Sequence, residues 1–141
     1  MACTPMVAIS GGSAPAGRYR QAYQEVEDVA QFDSVTKLNM QVEDLARFPD
    51  LLRQMFRVAT SGAPGPVHLR LPGAYGQGVE GEGDLQPLAE PRFSRVPAFR
   101  PGPEIDGVHE AAALMEDAHK PIIVAGGGVV ASELDVLEEP A

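Results

Sequence analysis

The hydrophobic pattern at the start of the chain predicts a buried strand followed by a short helix. Residues 5–10, PMVAIS, form an apolar run that is closed by two glycines, which is typical of a strand running into a loop. After a polar loop, residues 24–32, QEVEDVAQF, carry apolar side chains on one side of a predicted helix. Residues 34–40, SVTKLNM, include the β-branched pair Val35 and Thr36 and indicate an extended or loop segment.

A longer helix and a second strand follow, joined by a turn rich in proline and glycine. Residues 51–59 carry a broad apolar stripe at helical spacing, after a proline that suits the first turn of a helix. Gly62 stands just after the predicted end of the helix, where a residue with left-handed backbone angles is expected. Residues 66–72, PVHLRLP, then alternate, which predicts a half-buried strand with His68 and Arg70 on its polar face.

The second half of the chain begins with a segment of different composition. Residues 73–102 are rich in glycine and proline without a sustained period, which predicts an interdomain linker. Helical spacing returns over residues 105–118, and an apolar run at 121–125 predicts a buried strand, followed by a glycine loop and the start of another helix. Because helices alternate with apolar strands, the chain is predicted to be an α/β protein with parallel sheets. Neither half contains enough strands for a complete sheet.

Composition and charge narrow the classes of function. The chain has 141 residues, a formal net charge of -9 and 44% hydrophobic residues, so a buried core is expected. The excess of acidic over basic residues argues against nucleic acid or an anionic membrane as a partner, because both bind clustered Lys and Arg. A single cysteine, Cys3, excludes an internal disulfide and a Cys-type zinc site. The N-terminal residues lack the features of a secretory signal, and we expect a soluble, cytoplasmic protein without a membrane span.

The glycine loop near the end is the strongest physical candidate for a ligand site. Gly126, Gly128 and Ala131 fit the pattern G-x-G-x-x-[GA] between a predicted strand and a predicted helix. Glycines let the backbone approach a phosphate, and a helix N-terminus favours its negative charge. The alternative interpretation is a tight turn without a ligand.

Acidic residues after the first glycine loop form a second candidate. The stretch AYQEVED places Gln24, Glu25, Glu27 and Asp28 together, where paired carboxylates can perform acid–base chemistry if burial separates their pKa values. The alternative is that they begin a helix and stabilise its dipole.

The histidines and serines indicate no further chemistry. His68 lies on a strand, and His109 and His119 lie on one predicted helix without the i, i+4 spacing of metal ligands, so no metal site is predicted. Ser10 and Ser13 do not form G-x-S-x-G, so a hydrolase elbow is not supported.

The order of these segments resembles a known family. PMVAISG, AYQEVEDVAQFDSVTKLN, DLARFPDLLRQMFRVATSGAPGPVHLRLP and KPIIVAGGGVVASEL together resemble the thiamine-diphosphate-dependent enzymes of the acetolactate synthase type. The resemblance implies a three-layer α/β architecture in three regions. Residues 1–75 would be the C-terminal half of the pyrimidine-binding domain, 76–102 an interdomain linker, and 103–141 the start of a Rossmann-like central domain.

The resemblance also implies a function for the full-length parent. Such a parent would decarboxylate or ligate a small 2-keto acid with thiamine diphosphate and Mg²⁺, as a homodimer or homotetramer. The glutamate that activates the cofactor in this family lies upstream of the segment represented here. The resemblance therefore assigns no catalytic residue to this chain and predicts that the chain alone is inactive.

Individual site residues follow from the same resemblance. Tyr23 and Gln24 correspond to an aromatic–Gln pair close to the active site. Gly126, Gly127 and Gly128 match a central-domain loop that contacts FAD in acetolactate synthases, while other members bind another nucleotide there or none.

Three departures from the family pattern point away from strict acetolactate synthase activity. Gly12 stands where Gln is frequent, Tyr23 replaces Phe, and Pro72 lacks the Asp that often follows two positions later. Two alternatives from other classes are a non-enzymatic α/β nucleotide-binding module and a small interaction protein that uses the exposed apolar faces of an incomplete sheet.

Overall fold

The computed structural model describes residues 3–14, 17–21, 25–73 and 84–131. The chain divides into two units, Met1–Phe99 and Arg100–Ala141. The elements of the first unit are β1 (Met6–Gly12), α1 (Asp28–Phe32), β2 (Asn39–Gln41), α2 (Phe48–Thr60) and β3 (Pro66–Pro72), with short 3₁₀ turns at Leu45–Arg47 and Pro91–Ser94. Those of the second unit are α3 (Ile105–Asp117) and α4 (Gly127–Ala131).

The first unit contains a three-stranded parallel sheet in the order β1-β3-β2. Helices pack on this sheet, which confirms the predicted α/β class with parallel strands. The register places Ser10 of β1 and Gln41 of β2 on either side of Arg70 of β3. The strand that comes last in the unit therefore lies in the middle of the sheet.

The central position of β3 corrects one prediction. The alternating pattern predicted a half-buried strand with a polar face, but His68 is 0% exposed and Arg70 is 4% exposed. Side chains of a strand alternate between the two faces of a sheet. Val67 and Leu69 join the core beside α2, while Phe32 of α1 stacks on His68, so both faces of β3 are covered.

The hydrophobic core of the first unit lies between α2 and the sheet. The predicted stripe of α2 is confirmed, because Leu51, Met55 and Ala59 are buried against β3. The helix ends as predicted, since Gly62 adopts a left-handed backbone with φ of 61°. The N–H of Gly65 donates to the carbonyl of Ala59 at 3.0 Å, which leads the chain directly into β3.

Residues 84–99, which belong to the predicted linker, lie against α2 within the first unit. The Arg57 guanidinium forms two hydrogen bonds of 2.5 Å to the Glu90 carboxylate, and the N–H of Ala98 donates to the carbonyl of Thr60 at 2.9 Å. Residues of α2 and of this segment together line an apolar groove of about 590 Å³. The three-region division of the sequence analysis stays a prediction.

The second unit confirms one predicted element and corrects another. The helix predicted over residues 105–118 is present as α3. The apolar run at 121–125 forms no strand, and Ile122, Ile123 and Val124 are 88%, 78% and 90% exposed. A strand requires a neighbour that accepts and donates its ladder hydrogen bonds, and the described part of this unit supplies none.

Among the described residues, no helix is both long enough and apolar enough to cross a bilayer.

Candidate functional site

Six polar side chains meet on the face of the sheet that α1 covers. We call this group the polar network; it consists of Ser10, Asp28, Asn39, Gln41, His68 and Arg70. Parallel register explains the grouping, because Ser10, Arg70 and Gln41 occupy one row across the three strands, and His68 and Asn39 occupy the row before it. The first turn of α1 adds Asp28 from above the sheet.

A buried ion pair lies at the centre of the polar network. Asp28 Oδ1 is 2.8 Å from Arg70 Nε, and the two side chains are only 13% and 5% exposed. The N–H of Arg70 Nε is not directed at the carboxylate, so this contact is an ion pair without a well-aligned hydrogen bond. Arg70 Nη1 donates to Gln41 Oε1 at 2.9 Å, and the Ser10 hydroxyl donates to Asp28 Oδ2 at 2.6 Å.

Gly12 makes room for the Arg70 side chain. A Cβ atom at this position would collide with the Arg70 guanidinium. Arg70 is held by Asp28 and Gln41 and cannot move aside without losing those partners. Glycine at position 12, the last residue of β1, is therefore required by the close approach of a side chain and not by its backbone angles.

His68 links the ion pair to β2. Its Nε2 lies 2.8 Å from Ser10 Oγ, and its Nδ1 lies 2.7 Å from Asn39 Oδ1. The Asn39 amide donates to the carbonyl of Val29, which leaves Oδ1 to accept a proton from His68 Nδ1. The ring of Phe32 stacks on the imidazole with centroids 4.0 Å apart and planes 16° apart.

The order Ser10, His68, Asn39 has the geometry of a nucleophile, a base and an orienting group, but the protons argue for a structural role. A neutral imidazole that donates from Nδ1 can only accept at Nε2. The single Ser10 proton then has two acceptors, and the shorter contact, 2.6 Å against 2.8 Å, goes to Asp28. Because His68 is also fully buried, its base position is closed to a substrate.

Burial lowers the pKa of His68 below its ordinary value of 6.5, the charge of Asp28 opposes this shift, and the charge of Arg70 adds to it. The folded chain therefore binds fewer protons than the unfolded chain just below pH 6.5. We expect the free energy of unfolding to fall as the pH decreases through this range toward the lowered pKa. The limiting slope is about 1.4 kcal/mol per pH unit.

Urea unfolding between pH 5 and pH 7.5 measures this slope. His68→Gln should lack it, and His109→Gln, a change at an exposed histidine of the second unit, should retain it. Equal pH dependence in all three proteins would contradict the expectation, and an NMR titration of the His68 ring would report its pKa directly.

The structure separates the predicted carboxylate group. Glu25 accepts a hydrogen bond from the N–H of Tyr19, and Glu27 pairs with Arg18 at 2.9 Å with both side chains substantially exposed. Only Asp28 enters the polar network. Among the described residues of this stretch, Glu27 and Asp28 each pair with an arginine, and the two carboxylates do not share one site.

Of the remaining predicted residues, the described ones do not join the polar network. Tyr23 and Gln24 lie outside the described residues. Gly126, Gly127 and Gly128 are exposed, and a Cβ atom at each would have no neighbour within 4 Å. The described residues contain no group of three or more His, Cys, Asp or Glu placed to hold a metal ion, and Cys3 is exposed.

Sequence reasoning missed the polar network because it treated β3 as half-buried. One signal was available: His68 and Arg70 share a face of their strand, and Asp28 lies within the predicted helix at residues 24–32, since helices cover the sheet of an α/β protein. Burial of that face makes these three residues partners, since buried charges need compensation.

Comparison with known proteins gives relatives along nearly the whole chain. A probable acetolactate synthase large subunit of Methanocaldococcus jannaschii is 32% identical over 132 residues, which is 92% of this chain and 22% of the relative. The glyoxylate carboligase of Escherichia coli O157:H7 is 32% identical over 94% of the chain and 21% of the relative. The mitochondrial acetolactate synthase of Schizosaccharomyces pombe is 35% identical over 92% of the chain and 20% of the relative.

The chain spans about a fifth of the length of the curated relatives it matches. No family model matches the chain.

Proposed function

This chain is a sequence relative of the acetolactate synthase-like, thiamine-diphosphate-dependent enzymes, and from that relationship we propose that it is one segment of a 2-keto acid carboligase or decarboxylase. The observation that carries the proposal is the similarity over 92% of the chain to relatives of this type. The parallel sheet of the first unit and the helix–turn–strand junction at Gly62 agree with the predicted second half of a pyrimidine-binding domain.

The described residues do not by themselves form a site for thiamine diphosphate. They contain no acidic cluster that could hold Mg²⁺, and the one buried carboxylate of the polar network, Asp28, is already paired with Arg70. When bound, the cofactor would serve as the electron sink for the decarboxylated keto acid. We propose that the glutamate that activates it and the residues that hold its diphosphate belong to other segments of the parent enzyme, and that the chain alone is inactive.

FAD binding at Gly126–Gly128 receives no support from the geometry. Among the described residues, the glycines are exposed and a Cβ atom at each would have no neighbour within 4 Å. We therefore derive no step that depends on FAD. Tyr23 and Gln24 remain the residues of this chain that we propose near the active site.

The test combines this chain with the missing segments. The 141-residue chain would be assayed with pyruvate or glyoxylate, thiamine diphosphate and Mg²⁺, alone and as part of a continuous polypeptide extended by the flanking reading frame. We expect no turnover by the chain alone and carboligation or decarboxylation by the extended protein. Turnover by the chain alone, or an extended frame without any thiamine-dependent activity, would overturn the proposal.

A variant pair tests the assigned residues within the extended protein. Gln24→Ala is expected to reduce kcat/KM by about tenfold or more, since a side chain that contacts the reacting centre acts in the transition state. Gln31→Ala is the matched control, because Gln31 is an exposed amide on α1. Equal activity in the two variants would remove Gln24 from the site.

A further inference from the structure

We propose that Asp28 is a positioning residue that fixes the described parts of the connection between β1 and α1, residues 13–14, 17–21 and 25–27, to the carboxyl edge of the sheet. The carboxyl edge is the side on which the parallel strands β1, β2 and β3 end. Asp28 stands at the point where the connection returns to the sheet as α1 begins. Its carboxylate contacts β1 through Ser10 and β3 through Arg70.

The two contacts of Asp28 hold the end of the connection close to its start and to the central strand. Ser10 and Asp28 are 18 residues apart in sequence, yet the hydroxyl and the carboxylate are 2.6 Å apart. Arg70 holds the other carboxylate oxygen and is itself held by Gln41 and by the close approach of Gly12. Each oxygen of Asp28 therefore has a partner on a different strand, which defines the orientation of the carboxylate plane and not only its position.

Within the connection, the described residues 17–21 and 25–27 are joined to one another by hydrogen bonds. Arg18 donates to both carboxylate oxygens of Glu27, at distances of 2.9–3.2 Å. The N–H of Tyr19 donates to the Glu25 carboxylate. Glu25 and Glu27 lie three positions and one position before Asp28, so a displacement of Asp28 would move both cross-connections.

The backbone of the connection needs such restraints. Tyr19 and Gln21 have φ angles of 65° and 54°. This left-handed region costs energy for residues other than glycine and persists where surrounding contacts hold it. The exposed Arg18–Glu27 pair contributes little on its own, because exposed ion pairs are weak. The buried contacts of Asp28 are thus the stronger of the two restraints.

This inference goes beyond the proposed function. Tyr23 and Gln24 belong to this connection in sequence but lie outside the described residues. The test below uses no thiamine chemistry, and either proposal can fail without the other.

Hydrogen exchange on the full 141-residue chain, followed by NMR, tests the proposal. The probe amides are Gly17, Tyr19 and Arg20, which all donate hydrogen bonds within the connection, and the reference amides are Val42 and His68 of the sheet. Asp28→Asn should raise the exchange rates of the probe amides by about tenfold or more, as expected when hydrogen bonding to a charged group is lost. Asp33→Asn, an exposed acidic residue at the end of α1, should change them less than about twofold.

A double variant separates positioning from general stability. Asp28→Leu with Arg70→Met replaces the ion pair by apolar side chains, which often restores global stability. The proposal predicts that the reference amides regain protection while the probe amides stay exposed to exchange. Recovery of both sets would show that Asp28 acts only through stability and would overturn the proposal.

Ser10→Ala keeps the test decisive if Asp28→Asn does not fold. This variant removes one contact of Asp28 and leaves the ion pair with Arg70 in place. A smaller increase in exchange, confined to the probe amides, supports the positioning role. Unchanged probe amides in Ser10→Ala would contradict it.

Discussion

Met55→Ala is expected to lower the free energy of unfolding of the first unit by about 2–5 kcal/mol, because it empties the centre of the core. Met55 is 0% exposed and lies among Val42, Leu51 and Leu69, which are themselves at most 5% exposed. Truncation removes buried methylene and thioether contacts and leaves a cavity that the sheet and α2 can fill only partly. Urea unfolding monitored by circular dichroism measures the loss as a lower midpoint at unchanged m-value.

Gln54→Ala is the matched control for this prediction. Gln54 precedes Met55 on α2 but is exposed, so its truncation should change the free energy of unfolding by less than about 0.5 kcal/mol. A loss in Met55→Ala no larger than in the control would mean that α2 does not pack on the sheet as described.

Arg70→Met is expected to cost about 3–5 kcal/mol, because it leaves a buried carboxylate without its cation. The Asp28 side chain is 13% exposed and, within the polar network, would keep its hydrogen bond from the Ser10 hydroxyl but lose its ion pair. Gln41 would lose its guanidinium donor in the same variant. The measurement is again the free energy of unfolding, at a pH near 7 where the carboxylate is charged in the unfolded chain.

Two further variants define the origin of that loss. Arg95→Met removes an exposed arginine outside the polar network and should be nearly neutral. The apolar pair Asp28→Leu with Arg70→Met should recover much of the stability, since it removes both charges. If Arg70→Met alone is as stable as the parent chain, the Asp28–Arg70 pair is not buried in solution.

Local sequence patterns predicted the parts of the fold that depend on neighbours in sequence. The apolar stripe of α2 has a helical period, and Gly62 can adopt the left-handed angle that ends the helix. The proline and glycine turn then leads into the alternating β3. These features required only the periodicity of side chains and the allowed backbone angles of single residues.

The candidate site required information that no local pattern contains. Predicting the polar network needs the strand order, because only a central β3 buries His68 and Arg70 on the face opposite the core. The same reason explains the error at residues 121–125, where an apolar run looks like a buried strand but the described second unit offers no neighbour. Whether an apolar or alternating run becomes a paired strand depends on a partner distant in sequence.

The sequence by itself determined the α/β class, the helix–turn–strand junction around Gly62 and the relationship to acetolactate synthase-like enzymes, because each rests on short-range periodicity or on the order of segments. Only the tertiary structure decided that Asp28 pairs with Arg70 and that Ser10 lies between Asp28 and His68. These residues lie up to tens of positions apart, and their contacts arise from parallel register and from the burial of β3 between α1 and α2. The physical reason is that burial turns solvated polar side chains into obligatory partners, and burial is a property of the assembled sheet.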